Sequence, residues 1–272
     1  MTGILKLKFF KYFEIAKVSY HSHSTYPIET LSIGLLAMFR IWVLIQLYSV
    51  AFRVSGSTQI SGLDLKQTLW VLALTQSFYI SNRIRILMKD MGYEIQSGSV
   101  AYSLSKPYSY PLYHLASNFG VIGSNLFFAI AFTSTIVWLT LGPIHFTLYG
   151  FLAGLTLLIF GYIINNLIGL VLGLSAFWVE DISAFRWIYD KLMSVLGGVF
   201  VPLTIFPDSI RTILQYLPFS QLFYNPAYII VNYNGALFVK YFLTQMFWLV
   251  VFAVIVKVLT SRGSRLLAIN GG

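Results

Sequence analysis

Cysteine is absent from this 272-residue chain, which removes disulfides, thiolate metal sites and cysteine nucleophiles in one step. Charge is nearly as scarce. Asp, Glu, Lys and Arg make up 10% of the residues, where a soluble domain carries about 25%. A water-facing surface needs that charge, so most of this chain's outer surface faces something other than water. No Gly-x-x-x-x-Gly-Lys-Ser/Thr run occurs, so the chain has no P-loop to cradle nucleotide phosphates. The stretch Gly173-Leu174-Ser175-Ala176-Phe177 lacks the second glycine of a nucleophile elbow. Four histidines are scattered, and His21 with His23 supplies too few ligands for a metal; both read as ordinary interfacial histidines. The apolar stretches read as free of Asp and Glu at mid-membrane depth, which counts against a proton- or sodium-driven pump, although backbone carbonyls can also bind sodium. No small-residue cleavage site follows a short apolar core near the N-terminus, so a removed signal peptide is not expected.

What fills the chain instead is apolar: 57% of residues are hydrophobic and 17% aromatic. A spanning helix needs about 20 mainly apolar residues to cross a hydrocarbon core of about 30 Å. Six stretches meet that need, over residues 31–52, 65–81, 112–141, 146–177, 184–201 and 237–259. Gly142-Pro143 supplies the tight turn between the third and fourth. Residues 1–20 read as an interfacial helix, with Leu5, Phe9, Tyr12, Phe13 and Ala16 on one stripe and Lys6 and Lys8 snorkelling at its edges. Residues 202–236 are apolar but punctuated by Pro202, Pro207, Pro218 and Pro226, as expected of short half-helices that dip back into the membrane under the shelter of protein.

The net charge of +9 forms no dense basic run, so nucleic acid is not an expected partner. The basic residues flank the apolar stretches, where they set topology. With the N-terminus inside, thirteen Lys and Arg fall on the cytoplasmic side and four outside, Arg40 remaining within the first span. Both termini are therefore expected in the cytoplasm.

Two stretches carry a resemblance. The first runs Asp90-Met91-Gly92-Tyr93-Glu94-Ile95-Gln96-Ser97-Gly98-Ser99-Val100, then Leu104-Ser105-Lys106-Pro107. The second runs Ala176-Phe177-Trp178-Val179-Glu180-Asp181, then Gly197-Gly198-Val199-Phe200-Val201-Pro202, Phe206-Pro207, Leu217-Pro218-Phe219 and Tyr224-Asn225-Pro226-Ala227. In order and spacing the chain resembles the membrane subunits of type-2 ABC transporters, in a bacterial branch of mostly six-span permeases. The resemblance implies an all-α integral membrane fold with six transmembrane helices, an N-terminal interfacial helix, a cytoplasmic coupling helix over 83–98 and re-entrant helices before the last span. It also implies the bacterial cytoplasmic membrane, a second permease (identical or related), and two copies of a separate ABC ATPase that binds the ATP and magnesium. This chain would then need no cofactor of its own. The expected function is the permease half of an ATP-driven exporter of an amphipathic or lipophilic compound. A stand-alone secondary transporter or channel is the alternative, and a membrane-embedded enzyme a third class.

Within that frame, Ile84, Leu87, Met88, Met91 and Ile95 recur at helical spacing on one face, with Arg85, Lys89 and Gln96 elsewhere. The ATPase-coupling reading takes in Ile84, Leu87, Met88, Met91, Glu94 and Gly98, together with Glu180 and Asp181, and has the apolar stripe docking into an ATPase groove. A helix lying flat on the headgroups has the same period. Glu180 and Asp181 alternatively pair with Arg186 and Lys191. Arg40 costs from about 3 to above 10 kcal/mol if it faces lipid, so it faces protein or water. It either lines a substrate pathway or dimer seam with Gln46, or with Asn165 and Asn166, or it hydrogen-bonds to buried carbonyls.

Overall fold

The computed structural model describes residues 2–25, 27–56, 58–60 and 62–270, with side chains from Phe10 to Arg265 except at 24, 26, 27, 57, 60 and 61. The predicted stripe residues Leu5 and Phe9 and the predicted snorkelling pair Lys6 and Lys8 lie outside these described side chains. In chain order the helices are α1 Thr2–Ser24, α2 Pro27–Ser55, α3 Leu65–Ile80, α4 Ile84–Gln96, α5 Val100–Ser105, α6 Tyr110–Leu141 and α7 Leu148–Leu174. They continue with α8 Ser183–Val195, α9 Asp208–Leu214, α10 Pro218–Leu222, α11 Tyr224–Val231 and α12 Gly235–Asn270. A two-residue antiparallel hairpin, β1 Gln59–Ile60 and β2 Leu63–Asp64, joins α2 to α3.

Local chemistry explains where these helices begin. Asp64 opens α3 with a capping box, accepting from Gln67 N at 2.6 Å while Gln67 Oε1 accepts from Asp64 N at 3.2 Å. Thr147 accepts from Gly150 N at 3.0 Å to open α7, Asn82 from Ile84 N at 2.9 Å to open α4, and Asp181 from Ser183 N at 2.8 Å to open α8. Each oxygen takes up one of the amide protons that a helix start leaves unpaired.

Among the described residues, four helical segments are long and apolar enough to cross a bilayer: Ile28–Ser55, Tyr110–Leu141, Leu148–Phe177 and Gly235–Arg265. These are the first, third, fourth and sixth predicted spans. The second is α3, whose 16 residues extend only about 24 Å at about 1.5 Å per residue. Its residues from Thr68 to Tyr79 are all buried, so α3 is the hub of the fold, surrounded by protein, which also meets its polar Thr75, Gln76 and Ser77 with hydrogen bonds. The fifth is shorter than predicted: α8 ends at Val195 after 13 residues, about 20 Å, and not at Val201. Gly197-Gly198 turns the chain there. Gly198 has φ +70°, a left-handed conformation that a side chain disfavours.

Around α3, α2 packs on α3 and α6, and α1 lies along the first half of α6. That contact uses Tyr12, whose hydroxyl accepts from Ser109 N at 3.0 Å, and Ser19, whose hydroxyl meets that of Ser117 at 2.9 Å. The first helix is therefore held by protein on one side, while Phe10, Phe13 and Val18 stay exposed on the other. Helix α7 is the most enclosed of the four long segments and α12 the least. The N-terminal half of α7 receives α11, which runs antiparallel to it. A Cβ on Gly161 would collide with the Leu222 carbonyl, and one on Gly154 with Ile230 and the Pro226 carbonyl. Only glycine permits that approach.

Candidate functional site

The C-terminal half of α7 receives α4 in the same way. A Cβ on Gly169 would lie 2.7 Å from Ile84 and 3.1 Å from Leu87, and one on Gly173 would lie 2.9 Å from the Met91 sulfur. The apolar stripe of α4 thus has its partner within the chain. Met88 and Met91 are 0% exposed, and Ile84, Leu87 and Ile95 are also buried. This corrects the expectation that Ile84, Leu87, Met88 and Met91 dock into an ATPase groove. Periodicity located the stripe, but the glycines that receive it lie some eighty residues further along the chain.

The remaining surface of α4 divides into two faces. One points outward and bears Arg85, Lys89, Tyr93 and Gln96, all exposed. The other turns toward α6 and bears Arg83, Asp90 and Glu94. Glu94 Oε2 lies 3.6 Å from His114 Nε2, an ion-pair distance, and Ser103 Oγ approaches it at 3.5 Å. The neighbouring His114, first among its surroundings, holds the Glu94 carboxyl below its usual value. Gly98, with φ +75°, ends the helix in a sharp turn.

Glu180 and Asp181 sit beside that turn, since Gln96 Nε2 donates to the Glu180 carbonyl. The α4 terminus and the segment after α7 therefore form one surface, bordering with Phe177 and Trp178 an open depression of about 500 Å³. Neither carboxylate forms an ion pair with Arg186 or Lys191 among the described residues. Asp181 caps α8 instead, and its hydrogen bonds with Ser183 lower its pKa. Lys191 lies over the Trp187 ring at 5.3 Å.

Asp190 does pair, inside the fifth predicted span, where no carboxylate was expected at depth. Arg85 Nε donates to Asp190 at 2.8 Å and Arg85 Nη2 donates to the Tyr79 hydroxyl at 2.7 Å. The cluster ties α3, α4 and α8 together. An Asp within a predicted span was the available signal, because such a group requires a cation; Arg186 and Lys191 are nearer in sequence, and that the cation is Arg85, 105 positions away, was not readable.

Arg40 does not gather the other predicted pathway residues. It is half-buried on α2, with its guanidinium 6.0 Å from the centre of the Phe200 ring, and no carboxylate pairs with it among the described residues. Gln46 is exposed on another side of α2. Asn165 accepts a hydrogen bond from the Tyr189 hydroxyl, and Asn166 accepts one from Asn118 and donates to the Tyr162 carbonyl at 2.8 Å. Both asparagines are 0% exposed and join α7 to α8 and α6. They hold helices together, as buried polar groups in an apolar setting must.

His23 belongs to the same polar layer and is not the ordinary interfacial histidine expected. It is buried, with Nε2 2.9 Å from Asn125 Oδ1 and Nδ1 3.2 Å from Arg83 Nη1. A guanidinium only donates, so Nδ1 accepts and Nε2 carries the proton. Glu29 closes the group at 3.5 Å from Arg83.

Long apolar helices around a fully buried hub, with a short amphipathic helix clamped to the bundle, define a multi-pass membrane protein. Residues 35–271 match the ABC-2 family transporter proteins, and the chain belongs to that family, the membrane component of ABC transporters. No curated protein matches the chain.

Proposed function

We propose that this chain is the permease subunit of an ATP-driven exporter, paired with a second permease and served by two copies of a separate ABC ATPase that supplies ATP and magnesium. It would lie in a bacterial cytoplasmic membrane with both termini inside, crossing six times. In that arrangement α3 and α8 are short spans completed by the segments packed around them, and α10–α11 is the re-entrant pair. The exported compound is amphipathic or lipophilic, and Arg40 faces its path.

The observation that carries the reading is α4. Its apolar face is consumed by α7, and its outward face, Lys89 and Tyr93 with the adjoining Gly98, Glu180 and Asp181, is solvent-accessible and polar. That is the composition of a surface that meets a water-soluble partner. A helix lying flat on headgroups would need its apolar face free for lipid.

The test is reconstitution. Vesicles containing the purified chain and its co-purifying ATPase should accumulate substrate only with hydrolysable ATP, and vesicles lacking the ATPase should not. Ion-gradient-driven transport by the chain alone would establish the secondary transporter instead.

A further inference from the structure

A second polar site lies on the α6-facing side of α4. Two adjoining cavities, about 380 Å³ and about 130 Å³, share Arg83, Ser117 and Val121 as walls. The larger extends under α1 past Val18 and Ser22, and the smaller reaches Asp90. Both signs of charge are incompletely satisfied there. Arg83 Nε is buried without a hydrogen-bond acceptor, while its outer nitrogens engage His23 and Glu29. Asp90 makes no hydrogen bond or ion pair among the described residues. Its carboxylate is exposed on the wall of the smaller cavity, open to a ligand and to water.

Seven residues separate Arg83 from Asp90, two turns along one face of α4 and about 10 Å of rise. The larger cavity opens beside Val18, which is 65% exposed on the apolar side of α1, and Ile86 is exposed at the smaller one. Lys11 and Lys17 flank that apolar side, the composition of a helix at headgroup depth.

We infer that these joined cavities bind the zwitterionic headgroup of an ethanolamine phospholipid, with the phosphate at Arg83 and Ser117 and the ammonium at Asp90. A free N–H calls for an anionic acceptor and a free carboxylate calls for N–H donors. A primary ammonium supplies such donors, whereas the quaternary ammonium of choline has none. An anionic headgroup would satisfy Arg83 but face Asp90 and Glu29. The valines leave an apolar exit for the acyl chains. The bound lipid would join α1 to α4, adding to the contact that His23 makes with Arg83 at the start of α4.

The test is retained lipid, measured by native mass spectrometry on the intact complex extracted from a membrane containing ethanolamine, choline and glycerol phospholipids. The unaltered protein should keep the ethanolamine lipid preferentially. Asp90→Asn should lower its retention about tenfold, the loss of one charge-assisted contact. Ser22→Phe, which fills the cavity from the exposed surface of α1, should abolish retention without disturbing α4. Equal retention of choline lipid, or ethanolamine retention unchanged in both variants, overturns the proposal. Asp90-dependent binding of soluble glycerophosphoethanolamine with no lipid retained overturns the lipid as the source. The readout requires no transport, so it stands apart from the exporter reading.

Discussion

Replacing Met91 by Ala separates the two roles that the apolar stripe of α4 could have. Met91 is fully buried and its sulfur lies over Gly173. Removing three side-chain atoms there leaves a void that the α7 backbone cannot fill, because Gly173 has no side chain to move in. Large-to-small changes at such sites cost about 2–5 kcal/mol. Tyr93, on the outward face, is 69% exposed, and truncating it should cost no more than about 0.5 kcal/mol. Thermal unfolding of the detergent-purified protein, followed by tryptophan fluorescence, reads the first effect; ATPase retained on the immobilised permease reads the second. Met91→Ala should lower the melting temperature clearly, with ATPase retention falling only as the folded fraction falls. Tyr93→Ala should melt like the parent and release its ATPase. If Met91→Ala melts like the parent and releases the ATPase, the stripe is an exposed docking surface and the α4–α7 packing described above is wrong.

The Arg85–Asp190 contact should show a coupling energy of about 1 kcal/mol in a double-mutant cycle of Arg85→Gln and Asp190→Asn, read by thermal unfolding; additive effects would exclude the contact. Glu94, whose pKa is lowered by His114, should contribute stability that is fully present above its ordinary value of 4.5 and is lost as pH falls through its lower folded value. Glu94→Gln should therefore be less stable than the parent at pH 6 and converge with it as pH falls below the lowered folded value. Arg40→Leu should lower transport while leaving melting and ATPase retention intact; failure to assemble would make Arg40 a structural residue.

Helix boundaries were legible wherever a cap or a long apolar run marked them. The start of α3 at Asp64 and the turn at Gly142-Pro143 are local chemistry, and the four long segments are composition. The end of α8 was missed because residues 196–201 remain apolar, and hydropathy does not register that Gly197-Gly198 turns the chain. The stripe of α4 was legible as a stripe and misread as a surface, because a period shows which residues share a face and not what covers it. Glycines 169 and 173 were the counterpart signal, two small residues one turn apart in an otherwise bulky helix. Asn165 and Asn166 were found as polar residues in a span, but their partners Tyr189 and Asn118 come from two other helices. Their polarity inside a span suggested a pathway or dimer seam, whereas the bonds they make in the structure are cross-links between helices.

These cross-links bear on how hydrolysis elsewhere would move the bundle. Helix α4 is fixed to α7 by close packing, to α8 through Arg85–Asp190 and to α6 through Glu94–His114, so a push on its outward face cannot be absorbed by α4 alone. Packed interfaces such as α4–α7 shift as units and do not deform smoothly. Helix α8 is differently placed: Trp187, Ile188 and Val195 are exposed, and Asp190 and Tyr189 are its polar attachments to α4 and α7. Motion of α4 should therefore reach α8 chiefly through Asp190. Spin labels at positions 93 and 187 of the permease–ATPase complex should both report a change on ATP binding. With Asp190→Asn the change at 93 should persist while that at 187 shrinks by at least half. An unchanged response at 187 would mean that α8 follows α7 through Tyr189–Asn165, and the Arg85–Asp190 pair would then serve stability alone.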